Sequence, residues 1–138
     1  MRGYRTALPG LCLLAALGLA PESAWPRDRA EEDVEFVNTL LARNYLDLAD
    51  DFTRQLVDAA TTPAGKADAT LARVDVLIVL AAGESEVAKA RAYIDRAIDL
   101  LRDFVKDNPD APESDLARAT LARLQTGQAQ FLLNAMRQ

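Results

Sequence analysis

Carboxylates are the side chains that could carry chemistry in this sequence, and they gather in two clusters. The first lies near the start of a predicted helix and the second surrounds a proline-rich break: Asp47, Asp50 and Asp51, then Asp107, Asp110, Glu113 and Asp115. Such clusters can bind calcium, but the second lacks the glycine and the terminal ligand of an EF-hand loop. Acidic residues near a helix N-terminus are stabilised by about 0.3 to 1 kcal/mol through the helix dipole. We therefore assign both clusters to helix starts and expect no metal site.

Catalysis has little support in the residue types. The chain has no histidine, and its single cysteine, Cys12, lies in an N-terminal apolar segment. This excludes histidine-based triads and metal sites, and it excludes thiol chemistry once that segment is removed. Glycoside cleavage by two carboxylates needs a cleft in which they converge with separated pKa values, and no spacing here indicates one. We expect no enzyme, no catalytic residues and no cofactor, and the sequence assigns no partner-binding residues.

The first 24 residues have the layout of a secretory signal peptide. Arg2 and Arg5 precede an apolar run over 11–20, which is about half the roughly 20 residues that a bilayer-spanning helix needs. Cys12 follows a bulky leucine, which is unfavourable for lipid attachment. We expect export to the periplasm or the extracellular space without a stable membrane span. The alternative is tethering by an uncleaved signal segment, and the cleavage position stays open between Gly18 and later sites.

The charge balance excludes one class of partner. The whole chain has 16 basic and 21 acidic residues, a net charge of −5. Removing the segment with Arg2, Arg5 and Glu22 leaves 14 basic and 20 acidic residues, a net charge of −6. Without a basic patch such a domain is a poor ligand for nucleic acid.

Apolar periodicity predicts one all-α domain over 25–138, with helices at about 29–43, 46–60, 64–82, 85–106 and 112–137. The fourth helix has the clearest stripe of apolar residues at intervals of three and four: Val87, Ala90, Ile94, Ala97, Leu101 and Phe104. The third helix is apolar on nearly all sides, which indicates a central position with neighbours on both flanks.

Several residues predict where these helices begin and end. Asn44 suits a left-handed stop, and Thr62 followed by Pro63 suits a helix start. Ser85 is expected to cap the fourth helix, while Asp110 and Glu113 have the spacing of a capping box for the fifth.

Two segments carry a family resemblance. The apolar and turn residues Leu40, Asn44, Leu46 and Ala49, and the later segment 104–112 with its Asn-Pro step, resemble the turns of tetratricopeptide repeats. The breaks at Pro63 and Pro109 lie 46 residues apart, whereas the usual repeat is about 34 residues long. The resemblance implies helical hairpins stacked as a short solenoid, whose first helices line a concave surface that receives peptides or protein segments.

We accordingly expect an exported scaffold that binds a protein or peptide in the bacterial envelope. One alternative is a closed helical bundle with a structural or chaperone-like role. The fifth helix has apolar residues that need a neighbour, Leu121, Leu124, Phe131 and Leu132. It could cap a solenoid, pair with a second copy in a dimer, or belong to a longer repeat protein.

Overall fold

The computed structural model describes the backbone of residues 27–135 and the side chains of residues 31–130. The signal peptide predicted over 1–24 lies outside these residues. The described chain forms helices joined by turns: α1 (Arg27–Ala42), α2 (Leu46–Ala59), α3 (Pro63–Gly83), α4 (Val87–Asp107) and α5 (Glu113–Ala135). The prediction of an all-α fold is confirmed, and the helix bounds between Ala42 and Glu113 lie within two residues of the predicted ones. The predicted end of the fifth helix at about 137 lies outside the described residues.

The turns before and after α2 follow the local chemistry that the sequence indicates. Asn44 has a φ of 59°, a left-handed conformation that asparagine adopts more readily than most residues. The Thr62 side chain accepts a hydrogen bond from the Gly65 backbone nitrogen at 3.1 Å, and Pro63 opens α3. Both helix boundaries are thus set by residues within the turns themselves.

The start of α4 differs from the prediction. Ser85 does not cap the helix, because α4 begins at Val87 and Glu86 occupies the N-cap position without a side-chain cap. The Glu84 carboxylate instead accepts a hydrogen bond from the Glu86 backbone nitrogen at 3.0 Å, and the pKa of Glu84 is lowered chiefly by this hydrogen bond. This hydrogen bond orders the turn before α4, while the helix itself begins without a side-chain cap.

The turn before α5 is closed by a residue that the capping-box pattern does not single out. Ser114 is fully buried, and its hydroxyl donates a short hydrogen bond to the Asn108 carbonyl. The Asn108 side-chain amide donates to the Phe104 carbonyl at 3.0 Å. These contacts join the end of α4 directly to the start of α5.

The third helix is central, as its apolar composition predicts. It packs against each of the other four helices, and Val74, Val76 and Leu77 on different sides of it are completely buried. A cluster with Leu101 and Phe104 of α4 lies on one flank, and a cluster with α1 and α2 lies on the other. Burial of these side chains holds α3 between both neighbours.

The helices pack in a regular order. Each helix contacts the next one along the chain, and α3 also contacts α1 and α5. Within residues 27–135, α2 does not pack against α4, and α1 does not pack against α5. The two ends of the helix series therefore do not meet. None of the helices in this range is both long enough and apolar enough to cross a bilayer.

Candidate binding surfaces

A shallow groove lies between α1 and α3, and we call it the α1–α3 groove. Its volume is about 150 Å³. Apolar and polar side chains share its lining: Val34, Val37, Asn38, Asp68, Leu71, Ala72 and Asp75. Asp68 and Asp75 are two helical turns apart on α3, so both carboxylates point to the same side of that helix.

Both carboxylates of the α1–α3 groove are disfavoured as anions. Partial burial raises the pKa of Asp68, and the negative charge of Glu113 on α5 raises it further. Partial burial also raises the pKa of Asp75, while the positive charge of Arg123 on α5 opposes this effect. The α3 face between α1 and α5 is therefore acidic at one end and mixed in charge near Arg123.

A larger groove lies where α3, α4 and α5 meet, and we call it the apolar groove. Its volume is about 390 Å³. Its lining comes from the end of α3, the start of α4 and the middle of α5: Ile78, Ala81, Ala82, Ala90, Arg91, Ile94, Arg123, Leu124, Gly127 and Gln128. Such a volume and such an apolar lining fall within the range of small-molecule sites, roughly 300 to 1,000 Å³.

Part of the predicted α4 stripe lines this groove and is not covered. Val87 is 59% exposed, and Ala90 and Ile94 are only partly buried. A stripe that the sequence predicts to be buried thus continues beyond the part of the core that covers it. Apolar surface left open in this way is typical of binding sites.

Polar side chains border the apolar groove on α4 and α5. Arg91 lies 3.7 Å from the Asp95 carboxylate, and the Gln128 amide donates a short hydrogen bond to the same carboxylate. Arg123 makes only a long hydrogen bond of 3.4 Å to the Thr120 hydroxyl, and among residues 31–130 it has no carboxylate within 4.0 Å. One cation at this border is therefore paired, and the other lacks a close anion.

The first carboxylate cluster takes part in a buried ion network. Asp50 accepts a hydrogen bond from Arg54 at 2.7 Å, and Arg73 of α3 donates to the Asp50 backbone carbonyl at 2.9 Å. A second nitrogen of Arg73 lies 3.2 Å from Asp50 Oδ1, but neither of these two buried atoms has a well-formed hydrogen bond. Burial is the main reason that the pKa of Arg73 is lowered, and Asp50 opposes this effect. Asp50 therefore joins α2 to α3, whereas Asp51 pairs with Arg54 on α2 itself.

Sequence reasoning missed Arg73, which is only 2% exposed. It lies within the most apolar helix, and a charged residue in such a run could have indicated a buried partner on another helix. The periodic pattern identified neither Arg73 nor the acid that it meets, because the pairing joins residues 23 positions apart.

The second carboxylate cluster is not brought together. Asp115 pairs with Arg118 at 2.8 Å on α5, and Arg118 also donates to the Pro109 carbonyl at 2.7 Å. Across the described part of the chain, no three histidine, cysteine, aspartate or glutamate side chains are arranged to hold a metal ion. Glu113 and Asp115 lie in the first turn of α5, where negative charge is favourable, and Asp115 also holds Arg118 near the turn.

No protein-family model, curated protein or solved structure matches this chain. The class of the protein follows from the architecture of its described residues, which is all-α with a central third helix and with grooves on its surface.

Proposed function

We propose that this protein is an exported scaffold, similar in arrangement to tetratricopeptide repeats, that binds a protein or peptide partner in the bacterial envelope and performs no catalysis. The packing order carries the proposal. In a stack of hairpins, the first helices of successive pairs contact one another, and here α1, α3 and α5 are in contact in that order. A closed bundle would bring α1 against α5, and they do not meet within residues 27–135.

The side formed by α1, α3 and α5 is the surface that we propose for the partner. It includes the α1–α3 groove. Val34 and Asn38 of α1 line this groove together with the acids Asp68 and Asp75 of α3. Mixed apolar and polar lining is typical of protein interfaces, in which apolar contacts contribute affinity and polar contacts fix the register. The groove is too small for most small-molecule ligands, which favours a partner that also contacts the surrounding helix surfaces.

The arrangement of carboxylates favours binding over catalysis. Asp50 is engaged with Arg54 and Arg73, and Asp115 is engaged with Arg118. Acids that are engaged in ion pairs of this kind hold structure, whereas an acid–base pair needs two groups with different protonation states facing a substrate.

Site-specific photo-crosslinking tests the proposed surface. A photo-crosslinking residue at Asn38 in the α1–α3 groove is compared with one at Arg102, which is exposed on α4 away from α1. We expect one saturable partner to crosslink from position 38 and not from position 102 in cells of the source organism. Equal crosslinking from both positions would contradict the proposed surface, and crosslinks only to a second copy would favour a dimer.

Export is tested separately from binding. Cell fractionation, together with N-terminal sequencing of the recovered chain, is expected to find the protein outside the cytoplasm and shortened at its start. Recovery of the full-length chain from the cytoplasm would contradict export and leave the binding surface to be judged on the crosslinking alone.

A further inference from the structure

The apolar groove has the shape of a site for a slender hydrocarbon chain. Ile78, Ile94 and Leu124 come from three different helices and form its walls. Small residues keep it open, since a Cβ placed on Gly127 would have nothing within 4 Å. Enclosure on three sides allows a ligand to bury much of its surface there.

The lining is unsuited to peptide groups. Its walls are helices, whose backbone groups are hydrogen-bonded within the helix except for the carbonyls of the last turn of α3, which includes Ala81 and Ala82. A peptide backbone entering the groove would lose hydrogen bonds to water and find few in return, which is unfavourable. A methylene chain has no hydrogen bonds to water to lose, so the walls favour a ligand with an unbranched aliphatic body.

The charged border favours an anionic end on that ligand. Arg91 and Arg123 are the ionisable residues that line the groove, and both are cations. Arg91 has Asp95 as its ion-pair partner, whereas Arg123 has no carboxylate within 4.0 Å among the described residues and acts on Asp75 only from a greater distance. A guanidinium binds a carboxylate through two parallel hydrogen bonds.

We propose that the apolar groove binds an unbranched aliphatic carboxylate, with the chain between α3, α4 and α5 and the carboxylate at Arg123. This inference goes beyond the proposed scaffold function and does not depend on it, because the α1–α3 groove, where the partner is tested, shares no lining residue with the apolar groove. Either proposal can fail while the other stands.

A chain-length series tests whether the walls bind the hydrocarbon. Hexanoate, octanoate and decanoate are titrated into the purified full chain at pH 7 by isothermal calorimetry, each below its micelle-forming concentration. Each methylene that enters the groove is expected to tighten binding about fourfold, so that two tighten it about 15-fold. The gain is expected to stop once the groove is filled. Binding that does not saturate, or that does not depend on chain length, would overturn the proposal.

A variant that fills the groove is compared with a matched variant outside it. Gly127→Leu adds a side chain beside Leu124, whereas Gly83→Leu makes the same change at a helix end outside the apolar groove, where a Cβ also meets nothing within 4 Å. We expect Gly127→Leu to weaken decanoate binding at least tenfold and to leave hexanoate less affected, because the longer chain needs the occupied space. Circular dichroism checks that both variants fold. Equal binding by the two variants would place the ligand elsewhere and overturn the assignment.

The role of Arg123 is tested by charge. Arg123→Gln is expected to weaken decanoate binding about two- to fivefold, the range for an exposed ion pair, while decanol binding stays unchanged. Arg102→Gln on α4 is the matched control, since Arg102 is an exposed arginine outside the groove. If decylamine bound the natural protein as tightly as decanoate, the assignment of an anionic ligand would be wrong.

Discussion

The two halves of the apolar stripe on α4 have the same spacing and different surroundings. In the C-terminal half, Ala97 and Leu101 are completely buried and Phe104 is 6% exposed. In the N-terminal half, Val87 is 59% exposed and Ile94 borders an open groove. Periodicity thus predicts which side of a helix is apolar, but it does not predict whether another element covers that side.

The neighbouring helices explain the difference. The covered half packs with Ala67 and Val74 of α3 and Ala117 of α5 in one buried cluster. Small residues at Ala67 and Ala117 let the three helices approach closely, and the larger side chains fill the space between them. Beside the open half, Gly127 on α5 has no side chain to fill the gap. The difference is therefore one of volume supplied by the facing helices.

The largest expected effect comes from truncating one apolar side chain in each half of the α4 stripe. Leu101→Ala is expected to destabilise the protein by about 2 to 5 kcal/mol, because it removes a fully buried side chain and leaves a cavity. Ile94→Ala in the open half is expected to cost about 1 kcal/mol or less, since part of the removed surface is already exposed to water. Urea denaturation measures both, and equal losses would show that the open half is covered in solution.

Particular residues show how much of this fold can be predicted from the sequence. Asn44 and Thr62 act through contacts within their own turns, so their roles can be predicted from a few neighbouring letters. The helix bounds follow from the same local rules. The expected cap at Ser85 was wrong because α4 begins at Val87, one residue later than a cap at that position requires.

The grooves could not be predicted in the same way. The apolar groove exists only where α5 lies beside α3 and α4, and its lining residues, such as Ile78 and Gly127, are far apart in sequence. The contact between Arg73 and Asp50 likewise joins two helices. Periodic patterns describe one element at a time, so features that exist only between elements are missed.

The second prediction concerns the buried polar contact between α2 and α3. Asp50→Ala leaves the Arg73 guanidinium buried with only a backbone acceptor, and we expect a loss of about 2 to 3 kcal/mol. This is below the roughly 3 to 5 kcal/mol for a fully buried pair, because the Asp50 side chain is 19% exposed. Thermal and urea denaturation measure the loss.

Asp51→Ala is the matched control for this change. Asp51 contacts Arg54 at 3.3 Å on the surface, where ion pairs contribute about 1 kcal/mol or less. If Asp50→Ala lost no more stability than Asp51→Ala, the contact between α2 and α3 would be open enough for water to reach Arg73.

The third prediction enlarges one side chain in or beside each half of the α4 stripe. The two changes in stability are expected to have opposite signs. Ala97→Val in the covered half is expected to destabilise by about 1 to 3 kcal/mol, because the site has no free volume. Gly127→Ala in the open half is expected to stabilise by about 1 kcal/mol, because alanine is the better helix former and its Cβ meets nothing within 4 Å. Urea denaturation of both variants measures the signs, and stabilisation by Ala97→Val would mean that the covered half is loosely packed.

The smallest expected effect concerns Asp75 of the α1–α3 groove, on which the charge of Arg123 at the border of the apolar groove acts. Partial burial raises the pKa of Asp75 above 3.8, so the folded protein holds this proton more tightly than the unfolded chain. The contribution of Asp75 to stability is therefore fully present below pH 3.8 and is lost as the pH rises through the raised pKa.

Asp75→Asn removes this dependence. We expect its Tm to exceed that of the natural protein at pH 7, with the difference disappearing near pH 3, where both side chains are neutral. Asp99→Asn, on the exposed side of α4, is the matched control and is expected to leave Tm nearly unchanged at both pH values. A lower Tm for Asp75→Asn at pH 7 would mean that the attraction to Arg123 outweighs the burial of the carboxylate. In that case Arg123 would already have its anion, and the open half of the α4 stripe would lose the cation that distinguishes it from the covered half.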